Sequence, residues 1–296
     1  MQPLKAWVAL GLGWGFLFAP APRSAAQETL DQQIDSRLLG HPVAYQFWRS
    51  SQAPDLPLAI FLHGLYDRPG RFREEGCLRV VAERIQGGRL PPLALAFPAA
   101  GTSFYVDIPN GEPYERFVLE EFIPQIEKQY GVGGTRQRRI LVGLSMGGYG
   151  ALKIVLRHPD DFAGALAFSP MLVPLDQLRT SEAAGGPTWS LRSLQQVFGN
   201  PIDDDLYRAN DPLTLASKAP PDGSFLYVAV GSADRYGFQR GAQRFSEILR
   251  ERRRDCEFHL LAAGHGWELL KADWPAALDY LARKLSDSRS QPILRP

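Results

Sequence analysis

From about residue 43 onward, short apolar runs alternate with longer stretches in which apolar residues recur every third or fourth position. The short runs predict buried strands over residues 58–62, 93–97, 140–143, 165–168, 225–230 and 257–261. The longer ones predict amphipathic helices over residues 117–129, 148–157, 241–252 and 275–285. Strands apolar on both faces and separated by helices make one α/β domain, a mostly parallel sheet with helices on both faces.

Three segments fall outside this rhythm. Residues 171–224 hold clusters of Pro, Gly, Asp and Ser with weak periodicity, apart from a short helix near residues 191–198. Longer than an ordinary connection, they read equally as a lid or substrate-binding insertion or as a passive surface excursion. Residues 286–296 form a polar tail expected to fray. At the other end, Lys5 precedes an uncharged apolar stretch that reaches Pro22, followed by small residues at Ser24, Ala25 and Ala26. That order is the pattern of a cleaved secretory signal peptide over residues 1–26, and Pro20 and Pro22 interrupt it as a membrane span. The α/β domain then occupies residues 27–285, in a secreted or periplasmic protein with no stable membrane insertion.

Composition narrows the choice of chemistry. With 33 basic and 32 acidic residues the formal charge is +1, so no general field draws in nucleic acid. The basic run Arg252–Arg254 reads as a solvated helix end. Cys77 and Cys256 lack Cys-x-x-Cys partners and the five histidines are scattered, which gives metal and redox readings no support. An oxidising compartment permits a disulfide between the two cysteines without requiring it, and at least one is expected to be a small buried apolar residue.

The residue pattern with most chemistry is Gly143-Leu144-Ser145-Met146-Gly147, placed between an apolar strand and a helical run. This is the context of a nucleophile elbow. A serine on a sharp strand-to-helix turn takes strained backbone angles, and its glycine neighbours avoid collision with adjacent backbone. Three histidines follow it. His158 stands at the far end of the helix, about 20 Å from the serine at 1.5 Å per residue. His259 lies within an apolar strand. His265, in the glycine-flanked loop Gly264-His265-Gly266 beyond that strand, is the candidate base. Asp234 follows the preceding strand in Gly231-Ser232-Ala233-Asp234 and is the candidate orienting acid. Asp222 lies at the wrong end of that strand, while Asp211 and Asp203–Asp205 read as turn and capping residues. An oxyanion hole can form from the backbone N–H groups of Leu65, after the strand ending at Leu62, and Met146. His63 then shapes the loop and is not the base.

These segments, in this order, resemble the esterase family of the α/β-hydrolase fold that includes esterase D-type S-formylglutathione hydrolases, feruloyl esterases and mycolyltransferases. The resemblance covers roughly residues 34–284. It rests on Leu62-His63-Gly64, Thr102-Ser103-Phe104-Tyr105, the extended Ser145 segment through Ala151, His158-Pro159-Asp160 and Gly264-His265-Gly266-Trp267. It implies triad roles for Ser145, Asp234 and His265, and a substrate pocket built by Phe104, Tyr105 and Trp267. The loop Leu65-Tyr66-Asp67-Arg68-Pro69 departs from the family's Gly-rich run, which bears on the shape of the pocket and so on the substrate, with Tyr66 a candidate substrate-binding residue. The implied activity is hydrolysis of carboxylic esters without a cofactor. Export favours feruloyl or acetyl groups on polysaccharide. Acyl transfer to an alcohol through the same acyl-enzyme, a peptidase on this fold, and an exported binding protein without turnover are the competing readings.

Overall fold

In the computed structural model, which describes residues 29–183, 189–220 and 223–290, eight strands form one sheet in the order β1-β2-β4-β3-β5-β6-β7-β8. The expected signal segment, Asp222 and residues 291–296 lie outside the described residues. Six strands match those read from the apolar runs: β3 (Leu58–Leu62), β4 (Ala94–Pro98), β5 (Arg139–Leu144), β6 (Gly164–Phe168), β7 (Phe225–Gly231) and β8 (Cys256–Leu261). All six run parallel. Residues of β3, β4, β6 and β7 are buried throughout, the condition under which a strand loses its apolar–polar alternation.

Two further strands, β1 (Leu30–Asp35) and β2 (Pro42–Arg49), extend the sheet as an antiparallel ribbon on β4. The sequence reading missed both. Only Ile34 of β1 is buried, so that strand carries almost no apolar signal. In β2, Val43, Tyr45 and Phe47 face one core cluster and Trp48 the other, but exposed Ala44 and the polar Gln46 and Arg49 break up the apolar run.

Helices cover both faces. The short α1 (Arg71–Glu74) and α2 (Cys77–Gln86), the latter not read from the sequence, pack on one face together with the long α11 (Trp267–Ser290). The opposite face carries a continuous helical run made of α3 (Tyr114–Arg116), a π-helical stretch (Phe117–Phe122) and α4 (Ile123–Tyr130). Beside it lie α5 (Met146–Arg157) and α10 (Phe238–Glu251). In α10, Phe238, Ala242, Phe245 and Leu249 recur at helical spacing and are buried. Each large apolar side chain removed from water in this way contributes roughly 1.5–3 kcal/mol.

The segment 171–224 holds more regular structure than its composition suggests: α6 (Leu175–Ala183), α7 (Trp189–Phe198), α8 (Asp204–Asn210) and α9 (Pro212–Lys218). Asp203 and Asp211 do cap helices, accepting from Leu206 N and from Leu213 and Thr214 N. Tyr149 of α5 donates to Asn210 O at 2.7 Å, and Tyr207 donates to Val173 O at 2.6 Å, which fastens α8 into the core. The basic run ends α10, but Arg254 is buried and donates to the carbonyls of Pro220 and Ser224 instead of facing solvent. Both cysteines are free thiols. Cys77 is a buried apolar residue whose thiol burial pushes up to about 12.

Candidate active site

Parallel strands bring their carboxyl ends to one edge of the sheet, and every residue singled out for chemistry sits on that edge. Ser145 follows β5 and starts α5 with φ 56° and ψ −112°, a conformation rare for a side-chain-bearing residue. Its backbone is held on both sides: Ser145 N donates to Phe168 O at 2.8 Å, and its carbonyl accepts from Tyr149 N at 2.9 Å. The glycine requirement is steric. A Cβ at Gly147 would stand 1.8 Å from Leu62 O, and one at Gly143 would stand 2.1 Å from Gly147 O.

His265, in the loop after β8, turns its Nε2 to Ser145 Oγ at 3.0 Å and its Nδ1 to Asp234 Oδ2 at 2.7 Å. A carboxylate only accepts, so the imidazole proton sits on Nδ1 and the Nε2 lone pair faces the serine hydroxyl. The Asp234 side chain is fully buried, and its second oxygen accepts from Tyr236 N at 2.9 Å, which locks its rotation. Gly231 lets the two loops close on each other, since a Cβ there would lie 2.2 Å from Ala263 O. The rings of Tyr236 and Phe238 stand edge-on to His265, with centroids 4.7 and 5.4 Å away. Sequence reasoning missed these two flanking rings, although both lie within four residues of Asp234.

The other two histidines are held by carboxylates elsewhere. His158 ends α5 and binds Glu115 at 2.9 Å. His259 stays within β8, facing Asp273 at 2.9 Å.

After β3, Gly64–Asp67 forms a turn in which Asp67 N donates to Gly64 O at 3.1 Å and Tyr66 takes φ 61°. Leu65 N–H is not used by that turn bond. Met146, as first residue of α5, has an N–H that the helix leaves without a partner. His63 is buried and neutral: burial pushes its pKa down, Nδ1 donates to Gly64 O at 2.8 Å, and Nε2 accepts from Ala100 N at 2.9 Å. It fastens the turn to the loop after β4.

The four residues expected to line the pocket divide. Tyr66 is 71% exposed, and its hydroxyl meets Ser193 Oγ at 3.2 Å, linking the turn to α7. Trp267 is partly exposed, stacks on Phe61 and donates to Asp67 Oδ2 at 2.9 Å. Phe104 and Tyr105 do not line a pocket. They are 2% and 0% exposed, with Phe104 edge-on to Tyr149 and the Tyr105 hydroxyl donating to His63 O at 3.2 Å. Both pack against α5, Phe104 on Tyr149 and Tyr105 beside Gly150, so the pair supports the helix that starts at Met146.

Residues 39–281 match a family model described as Putative esterase. This chain belongs to that family. Membership agrees with the carboxylic ester hydrolase read from the motifs. The chain is 27% identical over 252 residues to an acetyl esterase of Caldicellulosiruptor saccharolyticus, covering 82% of this chain and 89% of the relative. Among solved structures it is similar to a ferulic acid esterase, with a TM-score of 0.73 and 24% identity over 87% of this chain and 98% of that one. It is also similar to an S-formylglutathione hydrolase from Agrobacterium tumefaciens, with a TM-score of 0.68 and 19% identity over 86% and 94% of the two chains. These likenesses show a shared α/β-hydrolase fold. Among the described residues no helix is long and apolar enough to cross a membrane, and no group of three or more His, Cys, Asp or Glu could hold a metal ion.

Proposed function

We propose that this chain is an exported serine esterase that cleaves feruloyl or acetyl esters carried on polysaccharide. The observation that carries the reading is the hydrogen-bonded series from Ser145 Oγ to His265 to Asp234, at 3.0 and 2.7 Å. Ser145 Oγ attacks the ester carbonyl while His265 Nε2 takes its proton. The buried Asp234 carboxylate stabilises the imidazolium that results, and the N–H groups of Leu65 and Met146 receive the negative oxygen of the tetrahedral intermediate. Collapse expels the alcohol, which takes the proton from Nε2 and leaves an acyl-Ser145 ester. Water, deprotonated by the same imidazole, then releases the acid and restores the serine.

Exposed Tyr66 and partly exposed Trp267 flank the turn that carries Leu65, where they can meet an acyl or sugar group. The acetyl esterase and ferulic acid esterase among the similar proteins support this substrate class. Export is inferred from the basic, apolar and small-residue order of residues 1–26. Residues 171–224 are the segment proposed to contact substrate, through α7 beside Tyr66.

The test is turnover of a model ester and of acetylated and feruloylated polysaccharide fragments by the wild-type chain and Ser145→Ala. Loss of all turnover in the variant is expected, and an unchanged rate refutes the nucleophile assignment. A competing alcohol should yield only free acid; transfer products would move the chain to the acyltransferases.

A further inference from the structure

Beneath the nucleophile helix lies a charge cluster that none of the acyl-transfer steps uses. Lys153, seven residues after Met146 on α5, has a wholly buried side chain, and that of its partner Glu115 is 4% exposed. Lys153 Nζ donates to Glu115 Oε2 at 2.6 Å and to the backbone carbonyl of Tyr105. Glu115 also accepts from Arg157 at 3.1 Å and faces His158 Nε2 at 2.9 Å. Burial opposes the Glu115 charge, but Lys153, His158 and Arg157 together outweigh it and hold the carboxyl at about 2. A buried ion pair is weak support for stability, because desolvation offsets much of the attraction and apolar replacements are often as stable.

The positions it connects are more informative. Phe104 and Tyr105 have φ of 51° and 54°, two successive non-glycine residues in the left-handed region, a conformation unfavourable for a residue with a side chain. Such a conformation persists only where the surroundings determine it. Tyr105 is held from one side by Lys153 and from the other by its own hydroxyl on His63 O, and His63 is bonded in turn to Gly64 O. Gly150 of α5 makes room for the Tyr105 ring, which a Cβ there would meet at 2.6 Å. A continuous series of contacts thus runs from α5, which carries Met146, to the turn that carries Leu65.

We propose that Lys153 is a positioning residue: its buried ammonium ties the nucleophile helix to the Tyr105–His63 brace under Leu65 and so sets the spacing of the two oxyanion donors. The proposal rests on the acyl-transfer reading above. Burial lowers the Lys153 pKa; Glu115 opposes that shift and holds the ammonium toward the Tyr105 carbonyl.

Two variants test it. Lys153→Met/Glu115→Leu replaces the pair by apolar side chains of similar size and leaves the partly exposed Arg157 and His158 to water. Tyr105→Phe removes only the hydroxyl on His63 O. Active serine is titrated with a fluorophosphonate. Each protein is then assayed on p-nitrophenyl acetate, and for inhibition by an aryl trifluoromethyl ketone, which adds to serine as a tetrahedral oxyanion. Per titrated site, kcat is expected to fall about 10–100-fold in the double variant and about 3–10-fold in Tyr105→Phe, with KM within about twofold and Ki for the ketone rising by the same factor as kcat falls. A role in folding alone would reduce the number of titrated sites and leave kcat and Ki per site unchanged, which overturns the proposal. Should the double variant not fold, Tyr105→Phe decides by the same criterion. A wild-type chain that neither labels nor turns over overturns the acyl-transfer reading itself, whereas an active wild type with unaffected variants overturns only the positioning role.

Discussion

Replacing Asp234 by Asn removes one charge and almost no volume, and the geometry around that side chain dictates the consequence. One carboxylate oxygen accepts from His265 Nδ1 at 2.7 Å and the other from Tyr236 N at 2.9 Å. An amide has one acceptor and one donor end, so it cannot reproduce both bonds. With its oxygen toward His265, its NH2 would face the Tyr236 N–H donor, at a cost of about 1–3 kcal/mol for the unsatisfied groups. With its oxygen toward Tyr236, its NH2 donates to Nδ1 and both bonds survive. The second arrangement is therefore preferred. It moves the imidazole proton to Nε2, where it points at Ser145 Oγ and cannot take the serine proton. The expected loss is about 10⁴-fold in kcat, the size found when a triad histidine is held in the wrong tautomer, or about 5–6 kcal/mol of barrier at 1.36 kcal/mol per decade. The assay is kcat on p-nitrophenyl acetate at pH 7–8, with a thermal melt to show that the variant is folded. A folded Asp234→Asn chain retaining more than a tenth of wild-type kcat would refute the reasoning and release Asp234 from its role.

Gly147→Ala places a carbon 1.8 Å from Leu62 O, a backbone atom that cannot yield cheaply. It should lower stability by about 2–4 kcal/mol, read as a fall of roughly 5–15 °C in Tm, whereas Gly64→Ala, whose added carbon meets nothing nearer than 3.4 Å, should cost at most about 1 kcal/mol. Trp267→Phe keeps the stacking on Phe61 but loses the bond to Asp67; a decrease of about 1 kcal/mol in denaturant-derived stability and a several-fold lower kcat/KM are expected. Glu115 has a folded-state pKa of about 2, below its ordinary value of 4.5, so its ionised form contributes stability that is complete above about pH 4.5 and is lost as pH falls toward 2. Melts from pH 6 to 2 should therefore show a shallower acid decline in Glu115→Gln than in wild type, and parallel curves would contradict the assignment.

The elements most legible in the sequence were those whose burial is extreme. Four of the parallel strands, β3, β4, β6 and β7, are buried on both faces and stand out from their surroundings, whereas β1, with only Ile34 inward, is indistinguishable from a polar loop. The helices of residues 171–224 were obscured because Asp203 and Asp211, read as turn and capping residues, begin short helices whose few buried positions leave little periodicity. The candidate site was legible where chemistry restricts the residue type: glycines that cannot carry a Cβ around Ser145, and a histidine and an aspartate at strand ends. Phe104 and Tyr105 were misplaced because an aromatic residue near a site reads alike whether it lines a pocket or supports one. The Lys153–Glu115 pair was invisible, since its partners are 38 residues apart and each alone resembles a surface charge.

The central claim is that Ser145 is an activated nucleophile, and adduct mapping addresses it most directly. The purified full chain is incubated with a fluorophosphonate and digested, and the modified peptide is located by mass spectrometry beside Ser145→Ala and His265→Ala. A single stoichiometric adduct on Ser145, absent from the first variant and strongly slowed in the second, is the predicted result; a folded wild-type chain that remains unlabelled, or that is labelled elsewhere, would contradict it.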